Sequence, residues 1–389
     1  MQVLELPEIR AISPTLAETM RLCFLRAGLS KASGSSNFVL GNPKAWLGAA
    51  YHEVLEKIGQ IDLGQESLED AVERLWSHAV AALQQRTATH VLDHRFGSPT
   101  TWRGYYVARA SVLLRAQELT AGPPPTGPPV AKMEFGAGPI GPIREQEFSA
   151  FGGRLLGRPD VIRFGEVIDY KSGALVEHDA AAQTDGVKSA YVRQLRIYGY
   201  LVKANLGWWP ERGVLLPLGG TGVAIALDPA ECEREAAEAV SLLEEYNAKV
   251  IGRRPADDFA TATSLACRWC PFKLICPAFW PAASPSWSRQ LDGAAIEGEL
   301  AEPLQGIHGG AAVAISVDVQ RGTEPARRAQ IAPLNLSVHS VAGSLTVGDR
   351  VRLVALRNRQ DGQLAPGPRT LVARVADIPS IEARNQEGI

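Results

Sequence analysis

The stretch RPDVIRFGEVIDYKSG, residues 158–173, carries two aspartates and a lysine around a potential tight turn. If Phe164 and Gly165 form a two-residue hairpin loop, paired positions sum to 329 and Asp160 lies opposite Asp169. The Cβ atoms of directly opposed residues lie roughly 4.5 to 5.5 Å apart, and two like charges placed there destabilise a sheet. We therefore expect a cation between the two carboxylates.

Lys171 follows Asp169 by two residues, so strand alternation points both side chains to the same face. Carboxylates grouped in this way suit a hard divalent cation, Mg²⁺ or Mn²⁺, with the lysine beside an attacking water. The alternative is a surface hairpin with an ordinary ion pair, a kind of contact that contributes little stability. Only nine of the 40 basic residues are lysines, and this scarcity favours a role for the compact, titratable amine.

The elements around this hairpin can be predicted from hydrophobic periodicity. Helical patterns cover residues 13–31, which open with a serine cap, and continue from Pro43 to about residue 120. β-type runs follow at residues 143–173. Beyond them we predict a helix in YVRQLRIYGYLVKANLG, a hairpin in VLLPLGGTGVAIAL and a helix in DPAECEREAAEAVSLLEEYNAKVIG.

Two proline-rich stretches mark candidate domain boundaries. AGPPPTGPPVA, residues 121–131, suits neither a helix nor a central strand, and PAASPSWS, residues 281–288, is a second connector. We therefore predict a helical N-terminal part at residues 1–120, an α/β core at 131–280 and a β-rich C-terminal domain at 289–389. No internal repeat is found.

Composition limits the possible partners and location. A formal net charge of −2 and a pI near 6.4 exclude the strong overall positive field of a histone-like protein, so any nucleic-acid contact must be local. The chain has no uninterrupted run of 18 apolar residues, and its first residues do not read as a secretory leader. We expect a soluble, cytoplasmic protein without a membrane partner.

The hairpin motif carries a family resemblance. G-R-P-D followed by V-I-D-Y-K-S-G resembles the core of the PD-(D/E)XK nuclease superfamily, in its RecB-type branch. His52 in GAAYHEVLE resembles the helical histidine that binds metal in that branch, and Gln194 and Tyr198 in QLRIYGY resemble its Q-x-x-x-Y motif. The resemblance implies a restriction-endonuclease-like α/β core with helical additions. It also implies that His52, Asp160 and Asp169 hold the metal and that Asp160, Asp169, Lys171, Gln194 and Tyr198 are the catalytic residues.

The auxiliary residues each have an alternative role. By the same resemblance either Glu145 or Glu147 is the extra acidic residue of the family. A histidine on an amphipathic helix is often a packed or surface residue, and Tyr198 fits a core stripe that includes Tyr191. The glutamine and tyrosine are four residues apart, so they share a helical face, where they can steady the lysine or contact a DNA phosphate. The order of the motifs along the chain favours the nuclease interpretation.

The cysteines predict a second centre. Three of the five fall within CRWCPFKLIC as Cys267, Cys270 and Cys276, which favours a metal or cluster site over a disulfide framework. A four-coordinate site needs one more ligand, for which Cys23 in the predicted first helix is available, and spacing alone does not separate zinc from iron. Cys232 is expected to be an ordinary thiol.

RecB-type nucleases with an iron-sulfur cluster, including CRISPR-associated and AddB-type exonucleases, use one N-terminal and three C-terminal cysteines. The resemblance therefore implies a 4Fe-4S cluster on Cys23, Cys267, Cys270 and Cys276. Such a clip would join the ends of a long loop and constrain the unfolded chain, which is a structural role.

The C-terminal hundred residues read as a small all-β unit. LTVGDRVRLVALRNR is similar to an OB-fold strand, with basic positions at Arg350, Arg352, Arg357 and Arg359. OB-folds bind single strands through a basic groove with stacking aromatics, but no Phe, Trp or Tyr follows Trp287. Any DNA contact there would be electrostatic, and a structural or protein-docking module is the alternative.

Together these features predict a divalent-metal-dependent DNA nuclease, and the resemblance implies an exonuclease on single-stranded ends, in repair, recombination or defence. The sequence has no G-x-x-x-x-G-K-[ST] motif, so unwinding would require a helicase partner. Two alternatives remain open. One is a catalytically silent DNA-binding scaffold, and the other is a zinc-stabilised endonuclease that cuts duplex DNA.

Overall fold

The structure is a computed structural model that describes residues 2–121, 143–163, 165–171, 173–179, 184–217, 221–325, 327–359 and 363–383. Residues 122–131 of the predicted connector lie outside the described residues, and so does Phe164 of the predicted turn. Among the described residues, every helix is too short or too polar to span a bilayer.

The helices begin where the sequence supplies caps. Asn42 accepts from the backbone N–H of Lys44 and Asp228 accepts from that of Glu231, and a proline follows each cap at the first helical position. The α-helices are α1 (Pro14–Leu22), α2 (Phe24–Leu29), α3 (Pro43–Ile58), α4 (Leu68–Thr89), α5 (Tyr105–Ala121), α6 (Ser189–Leu206), α7 (Pro229–Ile251), α8 (Ser264–Cys267) and α9 (Phe279–Ala282).

The strands lie between and after these helices, so the chain has mixed α and β content. They are β1 (Val3–Leu6), β2 (Ile143–Arg144), β3 (Phe148–Ala150), β4 (Leu155–Gly157), β5 (Val161–Arg163), β6 (Glu166–Lys171), β7 (Val176–Asp179), β8 (Thr184–Val187), β9 (Arg212–Pro217), β10 (Val223–Ala226), β11 (Ala294–Leu300), β12 (Gln305–Ile307), β13 (Ala312–Gly322), β14 (Arg328–Asn335), β15 (Arg350–Asn358), β16 (Leu364–Ala365), β17 (Leu371–Arg374) and β18 (Ser380–Ala383). The predicted hairpin after α6 is confirmed, because β9 and β10 pair antiparallel.

The chain divides into two compact units. We call Ala11–Thr15 with Asn42–Ser241 the hairpin unit, and Met1–Arg10, Leu16–Gly41 and Leu242–Ile389 the cysteine unit. In the cysteine unit, β1 near the start of the chain pairs in parallel with β18 near its end. The three-part division drawn from the proline-rich stretches remains a prediction.

The hairpin unit is built on a five-stranded sheet of order β10-β9-β6-β5-β2, in which β6 and β9 run parallel and the other neighbours antiparallel. Residues of α3, α4 and α5 share a core with Ile168 and Tyr170 of β6. Asp169 and Lys171 alternate with these residues and contact α6 instead. One face of β6 therefore builds the core while the other carries polar groups.

The region predicted as a first helix at residues 13–31 is broken. Cys23 adopts an extended backbone, with φ −171° and ψ 118°, between α1 and α2. Its sulfur accepts from the N–H of Thr261 at 3.4 Å. The prediction of one continuous helix with Cys23 inside it is therefore wrong, because Cys23 bonds to a loop far along the chain and leaves the helical conformation.

The C-terminal strands of the cysteine unit form a closed ring. β11 pairs with both β13 and β15, and the path β11-β13-β14-β16-β15 returns to β11, with β14 and β16 parallel. A core of buried aliphatic residues such as Ile296, Ile315 and Leu353 lies inside it. The strands predicted from AAVAISVDVQ and GDRVRLVALRN are confirmed as β13 and β15.

Candidate functional site

The predicted hairpin has the predicted register. β5 and β6 pair Val161 with Ile168 and Arg163 with Glu166, so paired positions sum to 329. Gly165, with φ +76°, supplies the positive backbone angle that the turn requires. Continuing the register by one residue sets Asp160, which precedes β5, opposite Asp169 in β6. The carboxylate of Asp160 also accepts from the backbone N–H of Tyr170.

A cluster of three potential metal ligands forms at Asp160. Each of His52, Glu145 and Asp160 offers one ligand atom, and these three atoms lie within 4.8 Å of one another. His52 comes from α3, and its Nδ1 lies 3.5 Å from Asp160 Oδ1. Imidazole nitrogen and carboxylate oxygen together suit Mn²⁺, and the carboxylates alone suit Mg²⁺.

The cluster distinguishes Glu145 from Glu147, the two candidates for the extra acidic residue. Glu145 lies in the cluster, whereas Glu147 is exposed to solvent. Glu145 has φ +48°, an uncommon backbone angle for a residue with a side chain, and its N–H donates to the carbonyl of Asp160 at 3.1 Å. Such local strain is often found at functional sites. The sequence could not have shown it, because glutamate has no preference for this angle.

A second network joins β6 to α6. Lys171 forms an ion pair with Asp169 and donates to Gln194 Oε1 at 2.7 Å. Gln194 Nε2 donates to Asp169 Oδ1 at 3.1 Å and lies 3.0 Å from the hydroxyl of Tyr198. The four predicted residues therefore meet, and Gln194 holds both the acid and the amine in place. Tyr198 is also buried, so its core role and its contact with Gln194 coexist.

The electrostatics of the cluster indicate an excess of negative charge. Burial and the charge of Asp160 raise the pKa of Glu145 to about 8. The same two causes raise the pKa of Asp169 to about 6, although Lys171 and His52 act in the opposite direction. Burial alone would lower the pKa of His52, but its hydrogen bond to Asp160 and the surrounding carboxylates raise it. A cation at the cluster would relieve this repulsion.

One buried oxygen also suits a metal. Asp169 Oδ2 faces Lys171 in the ion pair, yet among the described residues no donor is aligned to give it a hydrogen bond. The side chain of Asp169 is only 5% exposed, so water has little access to this oxygen. A carboxylate oxygen has two lone pairs, so one remains for a metal ion beside the ammonium of Lys171. The residues present therefore fit a divalent cation.

Tyr191 contributes a contact that sequence reasoning missed. Lys171 Nζ lies 4.6 Å from the centroid of the Tyr191 ring, and Lys188 Nζ lies 5.4 Å from the same centroid. Tyr191 precedes Gln194 by three residues on α6, so both side chains reach the lysine from one helical face. The spacing of three residues between Tyr191 and Gln194 is the sequence signal that could have indicated this contact.

The four cysteines expected in the second centre also meet. Cys23, Cys267, Cys270 and Cys276 line one pocket of the cysteine unit, together with apolar residues and Arg26. Burial raises the pKa of Cys267 and of Cys276 to about 12 and also raises that of Cys270. Without a bound metal these thiols are therefore protonated and unreactive. Cys232 is buried outside this pocket, as expected for an ordinary thiol.

A buried lysine holds the cysteine loop. Lys273 is 3% exposed, and its Nζ donates to the carbonyls of Cys267 at 3.3 Å and Arg268 at 3.1 Å. It also forms an ion pair with Asp292. Removing either partner of a buried pair is strongly destabilising, so this contact fixes the conformation of the loop.

The predicted basic run on β15 is partly neutralised. Glu297 of β11 is fully buried, and its carboxylate lies 2.7 Å from both Arg350 Nη2 and Arg352 Nε. Arg352 also donates to the carbonyl of Leu274 and lies over the ring of Trp280, 4.9 Å from its centroid. Two of the four arginines expected to attract DNA therefore serve internal structure.

The family model of the PD-(D/E)XK nuclease superfamily matches residues 11–277, well over half of the chain. The chain belongs to the PD-(D/E)XK nuclease superfamily. Members of this superfamily are generally nucleases, which hydrolyse phosphodiesters, and they typically use Mg²⁺ or Mn²⁺. The matched segment contains the hairpin with Asp160, Asp169 and Lys171 and all of the cysteines.

Other comparisons add little. No curated protein matches the chain. A solved structure described as "Crystal structure of SSO0001" is 17% identical, and the match covers 59% of this chain and 96% of that one. Its TM-score of 0.25 is too low to support an argument about the fold.

In this PD-(D/E)XK chain we predict that Mn²⁺ stabilises the wild type and not Asp160→Asn. At a concentration about 100 times the dissociation constant, a bound ion adds about 2.7 kcal/mol to the free energy of unfolding. Asparagine keeps an oxygen that can accept from the N–H of Tyr170. Thermal unfolding with EDTA and with Mn²⁺ measures the difference. Glu147→Gln, which changes an exposed acid next to the cluster, should respond to Mn²⁺ as the wild type does.

We also predict that Tyr191→Leu slows cleavage about tenfold and that Tyr191→Phe changes it little, because phenylalanine keeps the ring face that the lysine contacts. Single-turnover cleavage rates measure this. Tyr200→Leu is a matched control, since Tyr200 lies on the same helix but stacks on Phe151. Equal loss in the leucine and phenylalanine variants would contradict the ring contact.

Proposed function

We propose that the protein is a divalent-metal-dependent deoxyribonuclease that acts as an exonuclease on single-stranded ends. One observation carries the nuclease part of this proposal, and the resemblance to RecB-type nucleases supports the exonuclease part. In a chain of this superfamily, His52, Glu145 and Asp160 converge within 4.8 Å beside the ion pair of Asp169 and Lys171. His52, Asp160 and Asp169 would hold Mg²⁺ or Mn²⁺, and the position of Glu145 supports it as a further ligand.

The chain's own groups suggest how they would serve hydrolysis. When bound, the metal would polarise the phosphodiester and stabilise charge on the leaving oxygen. The ammonium of Lys171 would donate a hydrogen bond to the attacking water and orient it for in-line displacement, and the proton that this water loses would pass to a solvent water. Gln194 fixes the amine, and Tyr198 lies against the amide of Gln194, so the network supports a lysine with a single orientation.

We further propose that the chain is a RecB-type nuclease with a 4Fe-4S cluster in the cysteine pocket. The placement of the cysteines supports this proposal, because Cys23, Cys267, Cys270 and Cys276 line one pocket of the cysteine unit. Each thiolate would bind one iron of the cluster. A zinc ion on the same four cysteines is the alternative, and the metal content of the wild type decides between the two metals.

The C-terminal ring supports an OB-fold proposal. In chain order the strands of the ring are β11, β13, β14, β15 and β16, and the first of them pairs with the second and the fourth. This pairing is consistent with an OB-fold. Because Arg350 and Arg352 pair with Glu297, we propose a mainly structural or protein-docking role, with electrostatic contact to DNA limited to exposed arginines such as Arg357. A helicase or another repair or defence protein is a proposed partner, since the sequence lacks a P-loop.

The test compares linear and circular single-stranded DNA with Mn²⁺ and with EDTA. The wild type should shorten the linear strand progressively, spare the circle and lose all cleavage in EDTA. Asp169→Asn keeps the size of the side chain but removes its charge, so it should not cleave. Rapid cutting of circles, or defined cuts in duplexes, would favour the endonuclease. Binding without cleavage under every metal would favour the silent scaffold.

A further inference from the structure

A rigid turn of the cysteine unit exposes a tryptophan. Trp269 lies between Cys267 and Cys270, and its side chain is 60% exposed. Leu265, four residues earlier, is 74% exposed. A single exposed apolar residue needs no explanation, but two large ones a helical turn apart form a patch. In a soluble protein such a patch points to a ligand.

The conformation of this turn is fixed from inside the protein. Thr263 caps α8 by accepting from Ala266, and the N–H of Cys270 donates to the carbonyl of Cys267 at 3.2 Å. The buried ammonium of Lys273 holds the carbonyl of Arg268, the residue directly before the tryptophan. Binding to a fixed surface loses less conformational entropy than binding to a mobile loop. The indole is thus presented in a prepared position.

A positive charge accompanies the ring. The guanidinium carbon of Arg268 lies 5.3 Å from the centroid of the Trp269 ring, and no carboxylate of the described residues pairs with this arginine. An indole with an unpaired cation beside it matches the alternation of base and phosphate along a nucleic-acid strand. Only an unpaired base offers a free face for stacking, so a single strand fits this surface better than a duplex.

We propose that Trp269 and Arg268 form a binding site for single-stranded DNA, in which the indole stacks on a base and the guanidinium contacts a phosphate. This inference rests on the proposed function, and it places the stacking contact in the cysteine loop. The C-terminal domain lacks aromatic residues after Trp287, so it cannot supply that contact.

Anisotropy of a labelled oligothymidine, titrated with the intact protein in EDTA to prevent cleavage, tests the site. Trp269→Ala should raise the dissociation constant about tenfold, and Trp269→Phe only about twofold, because phenylalanine still stacks. Arg268→Ala should flatten the slope of log K against log salt by about 0.7, the value for one phosphate contact on a single strand. Leu265→Ala removes exposed apolar surface of the same patch but no aromatic ring, so it should raise the dissociation constant no more than about twofold, as Trp269→Phe does.

Iron content and circular dichroism are measured for every variant, so that a misfolded loop is recognised. Wild-type affinity in Trp269→Ala would overturn the proposal and leave the patch as a protein-docking surface. Equal losses in Trp269→Ala and Leu265→Ala would also overturn it, because general apolar contact would then explain both. Failure of the cleavage assay with these binding differences intact would reject the nuclease but not the DNA site.

Discussion

Replacing Lys171 with alanine is expected to slow DNA cleavage by about 100- to 10,000-fold, the range typical of losing a group that orients or transfers a proton. The amine has an ion pair with Asp169, a hydrogen bond to Gln194 and the ring face of Tyr191 around it. These contacts fix the direction of the amine. Single-turnover cleavage with Mn²⁺ measures the rate, and anisotropy measures the unchanged affinity.

Two further variants test whether the compact amine at this position is required. Lys171→Arg keeps the charge but replaces a compact ammonium with a planar fork, so it should not restore the rate. Lys203→Ala removes a lysine from the far end of α6, where its Nζ donates to the carbonyl of Gly207, and it should cleave normally. If Lys171→Ala cleaved at the wild-type rate, the ion pair would be structural and the proposed role of the lysine would be wrong.

The hairpin could be predicted because its information is local. Alternation along β6 assigns Ile168 and Tyr170 to one face and Asp169 and Lys171 to the other, whatever the rest of the chain does. The two-residue loop with Gly165 then sets the register. The alternation of side chains along the strand and the length of the turn together determine which side chains meet.

Glu145 shows where such reasoning stops. Two glutamates lie two residues apart, and strand alternation treats them alike. The hydrogen bond to Asp160 and the positive φ bring Glu145 to the cluster, and both depend on tertiary contacts. The same limit applies at Cys23, where helical periodicity continues through a residue that Thr261 draws out of the helix.

The partner of the basic residues on β15 could not be predicted for a related reason. Charges close together in sequence suggest a binding surface, but a single buried acid on a neighbouring strand can neutralise them. Glu297 lies 53 residues before Arg350, and only the pairing of β11 with β15 brings them together. Strand order is the least local property of a sheet, so this contact could not be predicted from composition.

The second large effect is expected at the cysteine pocket. If the proposed cluster is present, the wild type purified without oxygen should be brown, and Cys270→Ser or Cys276→Ser should lose most of the iron and be colourless. Serine keeps the size of the side chain but not the soft thiolate that iron prefers. The melting temperature should also fall by about 5 °C or more, because the proposed cluster would close a loop of over two hundred residues between Cys23 and Cys267.

Cys232→Ala is the control, since this thiol is buried but lies outside the pocket. It should retain iron and colour. A wild type that carries one zinc and no iron would reject the cluster, even though the same serine variants would lose that zinc. The metal content of the wild type therefore decides between zinc and iron, and the serine variants decide whether these four cysteines hold it.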